Sequence, residues 1–144
     1  MKKLILSLLL LLVIAGELKN GVVKIIPQYY LFSKENMIRL ITELNIAHPD
    51  IVIAQAMIES GNFKSNIFKE NHNLFGMKMP KYRKTTAMGT NRGHAVYSSW
   101  RQSVIDYALW QGKRAKHQSS SQYLSRLKSY ATDPNYINKI KQIL

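Results

Sequence analysis

At 144 residues the chain has room for one domain with a hydrophobic core of its own. It carries 21 lysines and arginines against 8 acids, a formal net charge of +13, which suits a polyanionic partner. There is no cysteine, so disulfides, thiolate chemistry, cysteine-ligated zinc and lipid attachment at a cysteine are excluded.

Met1-Lys2-Lys3, the apolar run Leu4 to Ala15 broken only by Ser7, and the small pair Ala15-Gly16 have the pattern of a secretory signal peptide over residues 1–16. The run is short for a membrane span; an uncleaved N-terminal anchor is the rival reading. An exported protein this basic meets the carboxylate- and phosphate-bearing polymers of a cell envelope, not nucleic acid, and no basic-aromatic nucleic-acid module is present. Residues 17–33, with Pro27 and Tyr29-Tyr30, read as a linker.

Ser33 can cap a first helix to about Asn45, with Met37, Leu40, Ile41 and Leu44 on one face. Pro49 suits the first turn of a second helix, which closes near Ser60-Gly61, and Ser65 can cap a short helix over 66–70. Asn73 to Lys78 fits a strand or tight turn. Gly89 and Gly93 flank Thr90-Asn91-Arg92, so a small β-hairpin is expected between about Thr85 and Tyr97. Ser99 with Gln102 has the spacing of a capping box, opening a long helix to about Lys116. Its core face would be Val104, Ala108 and Gln111, with Ile105 and Leu109 beside them. Two shorter helices follow near 120–129 and 134–144, the second with Asp133 as cap and Pro134 in its first turn. The fold class is α+β, mostly helical, with a small β-hairpin lobe beside a cleft.

Glu59 closes the apolar stretch Ile51 to Ile58. The negative end of a helix dipole and apolar neighbours both disfavour a carboxylate there, so its pKa is expected to rise. A carboxyl that stays protonated near neutrality can hand a proton to a leaving-group oxygen. The bland alternative is a helix-terminal glutamate facing solvent. Gln55, one turn earlier on the same face, is a candidate substrate contact that either orients that carboxyl or fills the cleft wall. Ser60 reads as a helix-end residue. His48, His72, His94 and His117 share no ligand spacing, and no phosphate-binding glycine loop or serine-nucleophile elbow is present, so neither metal nor cofactor is expected.

Ala54-Gln55-Ala56-Met57-Ile58-Glu59-Ser60-Gly61, Ser65, Asn73-Leu74-Phe75-Gly76-Met77-Lys78, His94 to Trp100, Ser103-Val104-Ile105-Asp106-Tyr107-Ala108 and Tyr130 to Tyr136 follow one another in order. Together they resemble the glucosaminidase family of peptidoglycan hydrolases, lysozyme-like domains found in flagellar muramidase-type proteins and autolysins. The resemblance covers about residues 34–144 and implies a lysozyme-like catalytic domain there. It implies Glu59 as the catalytic acid, Asn73, Phe75 and Gly76 lining the sugar groove, and Tyr136 beside the acid, with Tyr97 and Tyr130 as further candidates; Phe75 reads equally as core or as a sugar platform. Related domains often carry a second acid on the β element, yet residues 71–98 contain neither Asp nor Glu. Asp106 is the remaining candidate for that role; the alternative makes it a buried hydrogen-bonding partner. A single carboxyl suffices if the 2-acetamido group of the sugar attacks its own anomeric carbon.

The expected protein is thus an exported, monomeric endo-β-N-acetylglucosaminidase acting on peptidoglycan glycan strands in the periplasm, cell envelope or extracellular space, with anionic envelope polymers as further partners. A muramidase or lytic transglycosylase is the nearest rival, and a non-catalytic basic wall-binding module is the rival of a different class. Trp110 reads as core, and Trp100 as core or sugar platform.

Overall fold

The computed structural model describes residues 30–144; the expected signal peptide and residues 17–29 of the linker lie outside the described residues. Residues 30–33, read as linker, pack on the domain. The Trp100 indole donates to the Tyr30 carbonyl at 3.0 Å, and the Phe32 ring meets Phe63, Phe68 and Trp100. Helix α1 (Lys34–Glu43) begins where the Ser33 hydroxyl accepts from the Asn36 amide. It buries Met37, Leu40 and Ile41, whereas Leu44 stands at its exposed end. Helix α2 (Pro49–Glu59) has no polar face: Ile51, Val52, Ala54, Gln55 and Ala56 are all buried. An apolar stretch without amphipathic periodicity belongs inside a helical domain, and α2 lies between α1 and α6 (Tyr136–Ile143).

Helix α3 (Asn66–Asn71), capped by Ser65, leads towards the hairpin. Strands β1 (Gly89–Asn91) and β2 (His94–Val96) pair antiparallel with Thr90 opposite Ala95. Arg92 and Gly93 between them both have positive φ, which gives a two-residue turn the twist that hairpin strands need. The hairpin is shorter than its expected span. Asn71 ties it to the helical body: its side chain exchanges hydrogen bonds with Asn91, and its carbonyl accepts from the Tyr97 amide.

Helix α4 (Trp100–Gln111) departs from expectation at both ends. The Ser99 side chain makes no capping bond, and the Gln102 amide goes to the Ser99 carbonyl instead; the true capping box joins Ser119 and Gln122 at the start of α5 (Ser120–Leu127). The helix stops at Gly112, and a 3-10 turn (Lys113–His117) replaces its expected last turn. Its inner face is Trp100, Ser103, Val104, Asp106, Tyr107 and Gln111, while Leu109 is 45% exposed. Polar side chains occupy that face because each finds a partner inside. At α6, Asn135 is the cap; Asp133 accepts from the Asn135 amide and pairs with Lys139, so Pro134 precedes the helix.

Asp106 is completely buried and accepts two hydrogen bonds from Arg83, at 2.6 and 3.0 Å, and one from the Tyr97 hydroxyl at 2.7 Å. Burial pushes its pKa up, but donors from Arg83, Tyr97 and Thr85 outweigh burial and hold it below the usual value. The pair pins the irregular segment ahead of the hairpin to α4. Replacing Arg83 with Met strands a buried carboxylate. Urea denaturation at neutral pH should then show a loss of about 3–5 kcal/mol. The loss should shrink as pH falls through the lowered folded-state pKa of Asp106, because the pair contributes only while that carboxyl is ionised.

Candidate active site

Glu59 is the last residue of α2, and the chain behind it is locked. Ser60 is completely buried; its hydroxyl donates to the Ala56 carbonyl at 2.5 Å and accepts from the Phe63 amide at 2.9 Å. Gly61, Asn62 and Phe63 then take φ values of 55°, 52° and 66°. A left-handed phenylalanine is costly, and here its ring is held by Phe32 at 5.0 Å and Phe68 at 6.2 Å. Ser60 serves the helix end.

Facing Glu59, residues 73–77 form a turn. Asn73 Oδ1 accepts from the amides of Phe75 (3.3 Å) and Met77 (3.1 Å), and its Nδ2 donates to the carbonyls of Met77 and Ala95, each at 2.9 Å. Asn73 is completely buried and its amide is saturated, so it holds the turn to β2 and has nothing left for an N-acetyl group, contrary to expectation. Phe75 is also completely buried, its ring 4.2 Å from that of Tyr107; it is core and not a sugar platform. Gly76 has φ +62°, and a Cβ built there would lie 2.8 Å from Glu59 Oε2. Bare backbone thus presses against the carboxyl where no side chain fits.

Tyr130 and Tyr136 come from the other side, their rings nearly parallel with centroids 6.2 Å apart. The Tyr130 hydroxyl donates to the Phe75 carbonyl at 2.7 Å, bracing the same turn. The Tyr136 hydroxyl accepts from Gln55 Nε2 at 3.1 Å and acts on the Glu59 carboxyl. Gln55 is completely buried between Tyr136 and Tyr107, which makes it a positioning partner and removes it from the expected substrate contacts. Tyr97, 1% exposed and bonded to Asp106, is removed from them too. Asp106 itself, sealed in its ion pair, is not available as the second carboxyl. Trp100 is buried core, and Trp110 packs against Tyr107 and Tyr130 beneath Arg126.

Glu59 is partly buried, and its Oε1 is shielded from solvent with no hydrogen-bond partner. Burial raises its pKa; the Tyr136 hydroxyl and the His94 ring oppose that rise without cancelling it. His94, on β2, is a site residue the sequence did not single out; its signal is its place on the acid-free hairpin. Among the described residues no group of three or more His, Asp or Glu side chains could hold a metal ion. Away from Glu59, Arg114, His117, Arg126 and Lys128 line a surface groove of about 760 Å³ whose lining contains no acid.

Gly76→Ala should test the close approach. The substitution costs about 1–2 kcal/mol in backbone strain and drives a methyl group into the Glu59 carboxyl, so any activity that depends on Glu59 should fall far more than thermal stability.

A mostly helical body, a two-stranded hairpin and an acid at the end of the buried helix define a lysozyme-like domain. Two solved structures share this fold. The catalytic domain of the autolysin Auto from Listeria monocytogenes has a TM-score of 0.51 and 24% identity, with 76% of this chain and 77% of that one covered. A glycoside hydrolase domain of FlgJ from Salmonella typhimurium, truncated at its C-terminus, has a TM-score of 0.51 and 27% identity, with 74% and 87% covered. The family described as mannosyl-glycoprotein endo-beta-N-acetylglucosaminidase matches residues 34–144, and the chain belongs to this glucosaminidase family. Among curated relatives, an N-acetylmuramoyl-L-alanine amidase domain-containing protein of Staphylococcus aureus is 29% identical over 69% of this chain, and protein bax of Escherichia coli is 38% identical over 47%. The aligned region is only 20% and 25% of those two proteins.

Proposed function

We propose that the protein is a peptidoglycan hydrolase of the cell envelope, an endo-β-N-acetylglucosaminidase that cleaves glycan strands with Glu59 as general acid. The carrying observation is the Glu59 carboxyl itself: raised in pKa by burial, with one oxygen unpartnered and the other against the Gly76 turn. Such a group is protonated where an ordinary glutamate is not, and its proton has no competing acceptor. Glu59 gives that proton to the glycosidic oxygen as the C1–O bond breaks. The carbonyl oxygen of the 2-acetamido group attacks C1 from the opposite face and forms a cyclic oxazolinium. Water then opens the ring and returns a proton to Glu59. Substrate assistance is favoured because the other acids near the hairpin and α4 are committed: Glu70 to Arg92 and Asp106 to Arg83. Asp50 stands at the far end of α2, about 13 Å from Glu59 at the helical rise.

Tyr136 steadies the Glu59 carboxylate once its proton has left, and the Gly76 backbone borders the bound sugar. The acid-free groove at Arg114, His117, Arg126 and Lys128 supports attraction to wall carboxylates and phosphates, a screened, long-range effect. The amidase activity in the name of the staphylococcal relative is not carried over.

Glu59→Gln should retain its fold by circular dichroism and release muropeptides from purified sacculi about 10²–10⁴-fold more slowly. Wild-type activity should decline as pH rises through the raised Glu59 pKa. New reducing N-acetylglucosamine ends support the proposed bond, whereas reducing or anhydro N-acetylmuramic acid ends assign the domain to the muramidases or lytic transglycosylases. Unchanged clearing by Glu59→Gln would leave only a basic wall-binding module.

A further inference from the structure

Behind Tyr136 a chain of buried polar groups crosses the core, and none of it has a role in the reaction as written above. Gln111, 4% exposed, grips a single residue: its Oε1 accepts from the Ala47 amide at 2.9 Å and its Nε2 donates to the Ala47 carbonyl at 2.8 Å. That grip fixes which way the amide points, so the same Nε2 donates to the Tyr123 hydroxyl at 2.9 Å. The Tyr107 hydroxyl has one proton and gives it to Gln55 Oε1, so in its 2.5 Å contact with Tyr123 it accepts and Tyr123 donates. The other end of the Gln55 amide donates to Tyr136 at 3.1 Å. Every donor and acceptor is assigned once both amides are oriented, Gln111 by Ala47 and Gln55 by Tyr107 and Tyr136. The one proton without a recipient in the chain is that of the Tyr136 hydroxyl, the group that lowers the pKa of Glu59.

We propose that Gln111, Tyr123, Tyr107 and Gln55 are positioning residues that hold the Tyr136 hydroxyl with its proton aimed at Glu59. The chain is directional: each link donates towards the acid, and aligned hydrogen bonds strengthen one another in a dry interior. A hydroxyl that already points the right way does not have to reorient as negative charge develops on Glu59. Tyr123, Tyr107 and Gln55 are completely buried, so no water competes for their donors. His48 stacks on the Tyr123 ring at 4.6 Å, and burial raises the pKa of both Tyr107 and Tyr123, which keeps them neutral donors. This role rests on Glu59 being the acid of the proposed reaction, but its test need not.

The groups facing Glu59 are Tyr136 from α6, Tyr130 from the segment before it and His94 from β2. The Tyr136 hydroxyl stabilises the ionised form of Glu59. Losing its aim should raise the Glu59 pKa, keep the acid protonated to higher pH and move the alkaline limb of the rate profile upwards. The measurement is a carbon-13 NMR titration of the Glu59 carboxyl in the full chain, compared among wild type, Tyr107→Phe and Tyr123→Phe. Each substitution removes one hydroxyl and keeps the ring, so if one variant fails to fold the other decides. Upward shifts of about half a unit or more, larger for Tyr107→Phe than for Tyr123→Phe, are expected. Thr86→Val, which removes a hydroxyl outside the chain, should leave the titration in place. Folded variants whose Glu59 titrates as in the wild type overturn the proposal, even if they melt at lower temperature. Because the titration needs no turnover, it separates this inference from the glycosidase reading, which fails only if Glu59→Gln still clears sacculi.

Discussion

A carboxyl with one buried oxygen left unpartnered drifts towards water unless something rigid stands in its way. In this domain the obstacle is the backbone at Gly76, packed so close that a Cβ there would lie 2.8 Å from Glu59 Oε2. A left-handed glycine alone could not hold that position. The Asn73 amide supplies the rigidity with its four backbone bonds, and the Tyr130 hydroxyl adds a fifth restraint through the Phe75 carbonyl. Hairpin, core and C-terminal segment all meet at this turn. Its stiffness turns an ordinary glutamate into one with a raised pKa.

The helix starts after Ser33 and Ser65 were legible because their side chains bond amides within the next turn, and the start at Pro49 because proline suits a first turn whose amide needs no partner. Glu59 was legible from its apolar approach and the stop after it. On the inner face of α4, Val104 and Gln111 were legible and a buried, hydrogen-bonded Asp106 was one of its two expected readings; Ser103 and Tyr107 were not legible, because their partners lie on distant segments. Asp106 needed Arg83, and Tyr107 needed Gln55 and Tyr123; none of these pairs has a periodic signature.

The motif residues teach a related lesson. Asn73, Phe75, Gln55 and Tyr97 lie in the right region; the resemblance placed Asn73 and Phe75 in the sugar groove, and Gln55 and Tyr97 were candidates beside the acid. Each is fully or almost fully buried and serves the geometry of the site from behind. A motif marks where a structure is unforgiving, and sites built on close backbone approach are unforgiving in their supports. The close approach of the Gly76 backbone to Glu59 is a feature that a string of side-chain letters does not advertise.

Saturation at Asn73 also bears on how such a domain can diverge. Aspartate offers no donors, glutamine is one methylene too long, and serine cannot span both carbonyls, so no single codon change reproduces its four contacts. That position is frozen for as long as the turn is kept. The irregular stretch between Met77 and Met88 is constrained differently: Arg83 and Thr86 tie it to α4 through Asp106 and the Gln102 carbonyl, so change is easiest at the residues between those ties.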